Sequence, residues 1–226
     1  MYNPSTTILI FSRKAKTESK VKKLHNSNQK NEQLHQALYN HTIATVQATG
    51  LPYFIINEEQ QFGNTFAQKY CNAIEYCFEK GVQQLITIGS DCATLTVHDL
   101  LQAANTITVN TITIAPNTRG GFYLLALHHK NYQRNHFLQF HWCKSTLVHC
   151  ICNYYTGLKY VSIITLATKA DIHSSNDIYN IINVCNALSS LIVHILFQLT
   201  HYSAYRYSNH FNIAFAHYSR RGPPCL

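Results

Sequence analysis

The amino-acid sequence predicts a layered α/β domain, because short β-branched apolar runs alternate with longer segments whose apolar residues recur at helical spacing. The chain has 226 residues, of which 46% are hydrophobic and only 12% are charged. This length suits one domain, with or without a short tail, that buries a core of its own. The composition excludes collagen-like and disordered chains.

The first third of the chain predicts a strand, a helix and a second strand. Residues 7–11 are a short β-branched apolar run, which is typical of a buried strand. Apolar positions in 31–49 recur at near-helical spacing, and Gly50 with Pro52 behind it ends the predicted helix. Tyr53–Ile56 follows directly as the second predicted strand.

The middle of the chain repeats this alternation. Residues 66–78 present one apolar face at helical spacing, and residues 85–88 form a third predicted strand. Thr96 is the predicted N-cap of a helix over Val97–Thr106, with Asp99 in its first turn.

The second half predicts a strand pair around a turn and then a closing helix. The predicted elements are a strand at 112–115, a turn at 116–121, a strand at 122–127, a helix at 143–156, a strand at 160–166 and a helix at 176–199. We expect residues 1–182 to form one layered domain. Residues 183–226, a helix and a tail rich in Tyr and His, are expected to pack on it or extend it.

The basic charge of the chain is local. The net charge is +8, and residues 1–30 carry seven Lys and Arg against a single acid, Glu18. A basic cluster beside one early strand favours a compact anion such as a phosphate or diphosphate, and makes nucleic acid an unlikely partner.

The expected location is the cytoplasm. The first eleven residues lack the charged leader and apolar stretch of a signal peptide. The longest apolar segment, 187–199, contains Ser, His and Gln and is shorter than the ~20 residues that span a bilayer. We therefore expect no membrane span, and the eight cysteines are expected to be reduced. An alternative zinc site at Cys143, His149, Cys150 and Cys152 has a spacing that matches no standard structural pattern.

In an open α/β sheet, ligands bind outside the carboxyl ends of the strands. Asp91 lies there, three residues beyond the third predicted strand and behind Gly89. Its carboxylate is suited to a hard divalent cation, although an Asp in that place also caps turns. One interpretation of the adjacent His128 and His129 is that they supply a general base. The simpler interpretation is that both are surface histidines.

A series of motifs runs through the chain: Ile10-Phe11-Ser12-Arg13, Lys20 to Leu24, Leu85 to Cys92 with Leu95-Thr96, Ile114-Ala115-Pro116, Gly120 to Leu124, Phe140-His141-Trp142, and Ala170 to His173 with Asp177-Ile178. These motifs resemble the glycosyltransferase-like family related to phospholactate guanylyltransferase. They cover residues 7–182 in the order and spacing of that family, whose members include enzymes associated with radical-SAM and arsenosugar gene neighbourhoods.

The resemblance implies a three-layer, Rossmann-like GT-A fold of nucleotide-diphospho-sugar transferases, with a mixed, mainly parallel central sheet. It also implies a transferase in which a basic N-terminal loop and a divalent metal at Asp91 hold the diphosphate of a nucleotide-activated sugar, and which passes the sugar to a small-molecule acceptor. By the same resemblance the catalytic residue is Asp91, the nucleotide-binding residues are Ser12, Arg13, Lys22, Lys23, Gly120 and Gly121, and the ligands of a divalent Mg or Mn are Asp91, Asp171 and His173.

The sequence departs from the family pattern at two acids. Arg119 stands where the family has the Asp before its paired glycines, and His173 replaces the second Asp of the late motif. No glycine precedes Gly50, so side chains of Lys and Arg must hold the phosphates in place of a glycine-rich loop. Two alternatives stay open: a nucleotidyltransferase acting on a phosphorylated small molecule, and a degenerate module that binds nucleotide or protein. A homodimer is also open.

Overall fold

The computed structural model describes residues 6–184 and Leu196. The helices and strands are β1 Thr6–Phe11, α1 Ala15–Val21, α2 Asn28–Gln47, β2 Tyr53–Ile56, α3 Phe66–Glu79, β3 Gln84–Ile88, α4 Val97–Thr106, β4 Thr111–Pro116, β5 Phe122–His128, α5 Arg134–Gln139, α6 Leu147–Gly157, β6 Ser162–Thr165 and α7 Ser175–Val184. A 3-10 turn, His129–Asn131, follows β5.

The strands form one six-stranded sheet in the order β2-β1-β3-β5-β4-β6. The pairs β1–β2, β1–β3 and β4–β6 are parallel, whereas β5 is antiparallel to both β3 and β4. The sheet is therefore mixed and mainly parallel, as the sequence predicted.

Helices cover both faces of this sheet and make the three-layer arrangement. Successive side chains of a strand point to opposite faces. Leu9 accordingly packs in one core with residues of α3 and α6, and Ile8 and Ile10 pack in a second core with residues of α4. All three side chains are fully buried. The predicted fold class is confirmed.

The direction of the strands decides which residues can share a site. Because β1 and β3 are parallel, Phe11 and Ile88 end at the same edge of the sheet. Strand β5 runs the other way, so His128 pairs with Gln84 at the start of β3, on the opposite edge. His128 and His129 therefore lie too far from the carboxyl end of β3 to act as a general base there, and that interpretation is wrong.

Local sequence signals located most elements well. The helix Val97–Thr106 begins and ends as predicted, and Thr96 and Asp99 form the capping box, in which each side chain accepts from the other's backbone N–H. The strand Tyr53–Ile56 also has the predicted bounds. Gly50 ends α2 from a left-handed conformation, with a φ of 70°.

Other segments differ from the prediction. The basic stretch expected to be a loop contains helix α1, in which only Ala15 is buried, so hydrophobic periodicity gave no signal. Helix α5 was missed for the same reason: it has six residues and only Phe137 is buried. Helix α6 begins at Leu147 rather than 143.

The predicted final helix is present from Ser175 to Val184. The rest of that prediction and of the 183–226 tail, apart from a helical Leu196, lies outside the described residues. Within the part of the chain that is described, no helix is both long and apolar enough to cross a membrane.

Candidate functional site

Two adjoining cavities lie at the carboxyl edge of β1 and β3. Both are bordered by Phe11, Phe66, Gly89 and Asp91. The polar cavity, of about 250 Å³, is further lined by Ser12, Arg13, Glu18, Gln61, Asn64, Thr65, Lys69 and Ser90. The aromatic cavity, of about 290 Å³, is further lined by Tyr70, Thr87, Ile88, Asn117, Gly121, Phe122, Trp142, Cys143, Leu147, Asp171 and His173. Asp91 thus stands between two chemically different spaces.

Ser12 and Arg13 enter the polar cavity because they directly follow β1. The backbone N–H of Ser12 donates to the Ile56 carbonyl at 3.3 Å, and the Ser12 carbonyl accepts from Gln61 Nε2 at 3.1 Å. The Ser12 hydroxyl is buried and has no hydrogen-bond partner among the residues that the structure describes. The exposed Arg13 guanidinium lies 2.8 Å from Glu18 Oε2.

Lys22 is held beside Asp91 by contacts at both of its ends. Its Nζ lies 2.7 Å from Asp91 Oδ2, 3.3 Å from the Ile172 carbonyl oxygen and 3.4 Å from Glu18 Oε1. Its backbone carbonyl accepts from Asn31 Nδ2 and His35 Nε2, each at 3.0 Å. Only 15% of the Lys22 side chain is exposed.

The next residue, Lys23, has a different position. Neither lysine lines a cavity directly, but Lys22 is bonded to Asp91, which lines both, whereas Lys23 is exposed. The family resemblance assigns both lysines to nucleotide binding.

Two residues of the late motif, Asp171 and His173, line the aromatic cavity. Asp171 accepts a hydrogen bond from Asn117 Nδ2. Burial, together with the nearby charge of Asp91, raises the pKa of Asp171 to about 6, although the bond from Asn117 acts in the opposite direction. Burial and the charge of Lys22 lower the pKa of His173.

Asp177 pairs with Arg119 and lines neither of the two cavities. Arg119 Nη2 lies 2.8 and 2.9 Å from the two carboxylate oxygens of Asp177. The backbone N–H groups of His173 and Ser174 also donate to this carboxylate. Burial acts to raise the pKa of Asp177, but these hydrogen bonds outweigh it and hold the pKa below its usual range.

The paired glycines have separate reasons to lack a side chain. Gly120 has a φ of 81°, and a Cβ there would lie 1.9 Å from the Ser145 carbonyl oxygen. A Cβ on Gly121 would lie 2.9 Å from Asn117 Nδ2. Gly121 lines the aromatic cavity. Gly120 lets the backbone of Ser145, in the segment before α6, pack closely against it.

Five aromatic rings from four parts of the chain surround one side of the aromatic cavity. Trp142 has its ring centroid 4.9 Å from that of Tyr70 and 5.4 Å from that of Phe66. Phe11 and Phe122 complete the group. Trp142 is oriented by its indole N–H, which donates to the Phe137 carbonyl at 2.6 Å.

The sequence singled out Trp142 but missed several residues that line the polar cavity. Gln61, Asn64 and Thr65 stand in a polar stretch between β2 and α3, and Lys69 is in the first turns of α3. The available signal was that this loop follows the carboxyl end of β2, a strand parallel to β1. Asn117 lies in the turn predicted at 116–121.

The residues assigned to a divalent cation do not fit one in this arrangement. Asp91 is paired with the Lys22 ammonium, and Asp171 is bonded to Asn117. Across residues 6–184 and Leu196, no three His, Cys, Asp or Glu side chains come together as a group able to hold a metal ion. Cys143, Cys150, Cys152 and His149, the residues of the alternative zinc site, likewise form no such group among the described residues.

Residues 42–144 match the sequence profile of a family described as an uncharacterized protein conserved in bacteria, DUF2064. The resemblance indicated by the motifs is confirmed over this segment. It includes Asp91, Gly120 and Gly121, whereas Ser12, Arg13 and Lys22 precede it and Asp171 follows it.

The fold is similar to that of solved structures. A candidate nucleotide-diphospho-sugar transferase from Desulfovibrio desulfuricans G20 has a TM-score of 0.72 at 15% identity, covering 90% of this chain and 97% of that one. This likeness confirms the GT-A type of fold.

Two further structures are weaker matches and carry no argument below. A homologue, from Mycobacterium sp. strain JC1, of a Mycobacterium tuberculosis protein has a TM-score of 0.48 at 9% identity, covering 86% of this chain and 98% of its own. A cytidylyltransferase from Leptospira borgpetersenii has a TM-score of 0.41 at 12% identity, with coverages of 94% and 99%. No curated protein sequence matches the chain.

Proposed function

We propose, from the fold of a nucleotide-diphospho-sugar transferase and the two cavities that meet at Asp91, that this chain transfers a sugar from a nucleotide-sugar to a small-molecule acceptor. The nucleotide diphosphate is held in the polar cavity, and the sugar and its acceptor meet on the aromatic side of Asp91. Ligands of an open α/β sheet bind at this edge of the strands.

The observation that carries the proposal is the Ser12 hydroxyl. It is buried at the wall of the polar cavity and lacks a hydrogen-bond partner among the described residues. Burying such a group without a partner costs about 1–3 kcal/mol, and the free protein already bears this cost. A ligand oxygen that accepts a hydrogen bond from the Ser12 hydroxyl therefore binds without a further cost of desolvating it. Arg13 beside it and Lys69 across the cavity supply positive charge for a diphosphate.

The remaining lining of the polar cavity suits a nucleoside. Gln61, Asn64 and Thr65 offer amide and hydroxyl groups, which donate to and accept from the edge of a base. Phe66 adds an aromatic face, 43% exposed, on which a planar ring can stack. These groups suit a nucleotide without favouring one base, and the titration of four nucleotide-sugars identifies the base.

The aromatic cavity suits a sugar and its acceptor. Ligand sites combine mostly apolar walls with a few convergent polar groups. Here Phe66, Tyr70 and Trp142 supply the walls, and Asn117 and Asp171 supply polar groups at one end.

The proposed reaction forms a bond from the acceptor oxygen to the anomeric carbon and breaks the bond from that carbon to the diphosphate. The electron pair leaves with the nucleoside diphosphate, whose charge Arg13 and Lys22 stabilise electrostatically. The proton of the acceptor hydroxyl passes to Asp91, the carboxylate that borders both cavities.

A calorimetric titration with UDP-, GDP-, ADP- and CMP-sugars tests the donor site. We expect one of them to bind, and Ser12→Ala to weaken that binding about fivefold, the equivalent of one neutral hydrogen bond of about 1 kcal/mol. Lys23→Gln is the control, because Lys23 is exposed and lines neither cavity. An unchanged affinity in Ser12→Ala would contradict the proposed position of the nucleotide.

The product distinguishes the proposal from nucleotidyl transfer. Release of a nucleoside diphosphate from the bound nucleotide-sugar supports sugar transfer, whereas release of pyrophosphate from a nucleoside triphosphate supports the alternative. Failure of every nucleotide-sugar and triphosphate to bind would favour the degenerate module.

A further inference from the structure

We infer that Lys22 takes the place beside Asp91 that a divalent cation was expected to occupy, so that nucleotide binding in the polar cavity does not depend on metal. This inference rests on the proposed function for the identity of the ligand, but the position of the Lys22 ammonium is independent of it. Three features of the site support the inference.

The first feature is the way in which Lys22 is fixed. Its ammonium nitrogen lies near three oxygen atoms: it donates to the Asp91 carboxylate at 2.7 Å and to the Ile172 carbonyl at 3.3 Å, and it is 3.4 Å from the Glu18 carboxylate. Asn31, itself buried, and His35 hold the Lys22 carbonyl at the other end of the residue. The ammonium is therefore held beside Asp91, which lines both cavities, and is not a mobile surface charge.

The second feature is the charge of the polar cavity. Its wall carries two carboxylates, Glu18 and Asp91, which would repel a diphosphate if they were unpaired. Arg13 neutralises Glu18, and Lys22 lies between Glu18 and Asp91. With Lys69 the site has a net excess of positive charge, which a metal ion would otherwise have to provide.

The third feature is the shortage of ligands for an ion. A hard divalent cation takes six or more oxygen ligands, several of them usually from carboxylates. Asp171 is bonded to Asn117, and Asp177 is paired with Arg119 through both of its oxygens. An ion at Asp91 would also lie beside the Lys22 ammonium, and like charges at such short range repel.

One substitution, Lys22→Met, should make diphosphate binding depend on a metal ion. In Lys22→Met, Asp91 loses its counter-charge, the wall repels a diphosphate, and the freed carboxylate becomes available to a cation. Lys22→Arg keeps the charge and should keep the wild-type behaviour. Lys23→Met makes the same charge change one residue away, at an exposed position outside both cavities.

The experiment measures the dissociation constants of UDP, GDP, ADP and CDP by calorimetry, first in EDTA and then with Mn²⁺. For the diphosphate that binds wild-type protein, we expect the two values to agree within twofold. Lys22→Met should bind at least tenfold more weakly in EDTA and recover most of that loss with Mn²⁺, whereas Lys22→Arg and Lys23→Met should resemble the wild type. Melting curves of each variant establish that it is folded.

Direct Mn²⁺ binding, followed by the electron paramagnetic resonance signal of the free ion, is measured on the same samples with and without the diphosphate. We expect bound Mn²⁺ in Lys22→Met only, and more of it with the diphosphate, whose oxygens supply ligands that the protein lacks. A wild-type protein that binds the diphosphate only with Mn²⁺, or that itself holds Mn²⁺ at Asp91 as judged by loss of binding in Asp91→Asn, overturns the inference.

The two proposals fail in different ways. If none of the four diphosphates binds in either condition, the proposed function fails. The Mn²⁺ signal then still decides the inference, through the difference between wild-type protein and Lys22→Met.

Discussion

Gly120 lies where the structure leaves no room for a side chain. Its φ is 81°, and a Cβ would come within 1.9 Å of the Ser145 carbonyl oxygen, which belongs to the backbone and cannot rotate away. We expect Gly120→Ala to lower the free energy of unfolding by at least about 3 kcal/mol, measured by denaturant titration.

Gly50 is the matched control for this substitution. Its φ is 70°, but no atom lies within 4 Å of a Cβ placed there. Gly50→Ala should therefore cost only the strain of the left-handed conformation, about 1–2 kcal/mol. Equal losses in the two variants would show that close approach at Gly120 is not the cause.

The buried carboxyl of Asp171 makes stability depend on pH. Its pKa is raised to about 6 in the folded protein, so the folded state binds more protons than the unfolded chain between about pH 4 and pH 6. Stability is therefore lost as pH rises through this window. At 1.36 kcal/mol per pKa unit, the loss is on the order of 2–3 kcal/mol.

The measurement is the difference in unfolding free energy between wild-type protein and Asp171→Asn from pH 4 to pH 7. Asparagine keeps an oxygen that can accept from Asn117, and it does not titrate. We expect the unfolding free energy of Asp171→Asn to increase relative to that of the wild type as pH rises. A difference that is constant across the range would contradict the raised pKa.

At the scale of elements, the capping box of α4 is a local device whose value can be measured. The Thr96 side chain accepts from the Asp99 N–H at 3.2 Å, and Asp99 Oδ2 accepts from the Thr96 N–H at 2.8 Å. We expect Thr96→Ala to cost about 1 kcal/mol in the free energy of unfolding.

Helix α2 supplies the control. Its N-cap, Ser27, makes no side-chain capping bond, so Ser27→Ala should change stability by less than about 0.5 kcal/mol. A loss in Ser27→Ala as large as that in Thr96→Ala would mean that intrinsic N-cap preference, rather than the observed hydrogen bond, decides the effect.

Helix α1 shows why an element can be invisible to periodicity and still position a site. It has seven residues, too few to be stable alone, and it packs on α2. Its acidic Glu18 pairs with Arg13 before the helix and with Lys22 at its end. These charges, not an apolar stripe, place Lys22 beside Asp91.

For the whole molecule, the two cavities predict different optical responses to two related ligands. Trp142 is the single tryptophan of the chain, and of these two cavities it lines only the aromatic one. The sugar of a bound nucleotide-sugar should reach that cavity, whereas the corresponding nucleoside diphosphate should stay in the polar cavity. We expect the nucleotide-sugar to shift or quench Trp142 emission and the diphosphate to leave it nearly unchanged. Identical changes with both ligands would contradict the assignment of the cavities.

Much of the fold could be predicted from local patterns. Apolar alternation and helical spacing depend on residues a few positions apart, and so do caps such as Thr96 and terminators such as Gly50. The same patterns placed Asp91 just after β3, at the edge of the sheet where ligands bind. The nucleotide-binding and metal assignments of the other site residues came from the family resemblance and stay predictions.

The composition of the site required the tertiary structure. Lys22 and Asp91 are 69 residues apart, and Asn117 and Asp171 are 54 apart. Whether a carboxylate holds a metal ion or pairs with an ammonium depends on which charges lie within a few ångströms of it, because electrostatic energy depends on distance in space. Separation along the chain does not specify that distance. The sequence therefore predicted the layered α/β sheet and the edge at which a ligand is expected, and the position of α1, which packs on α2 and is followed by Lys22, determined the partner of Asp91.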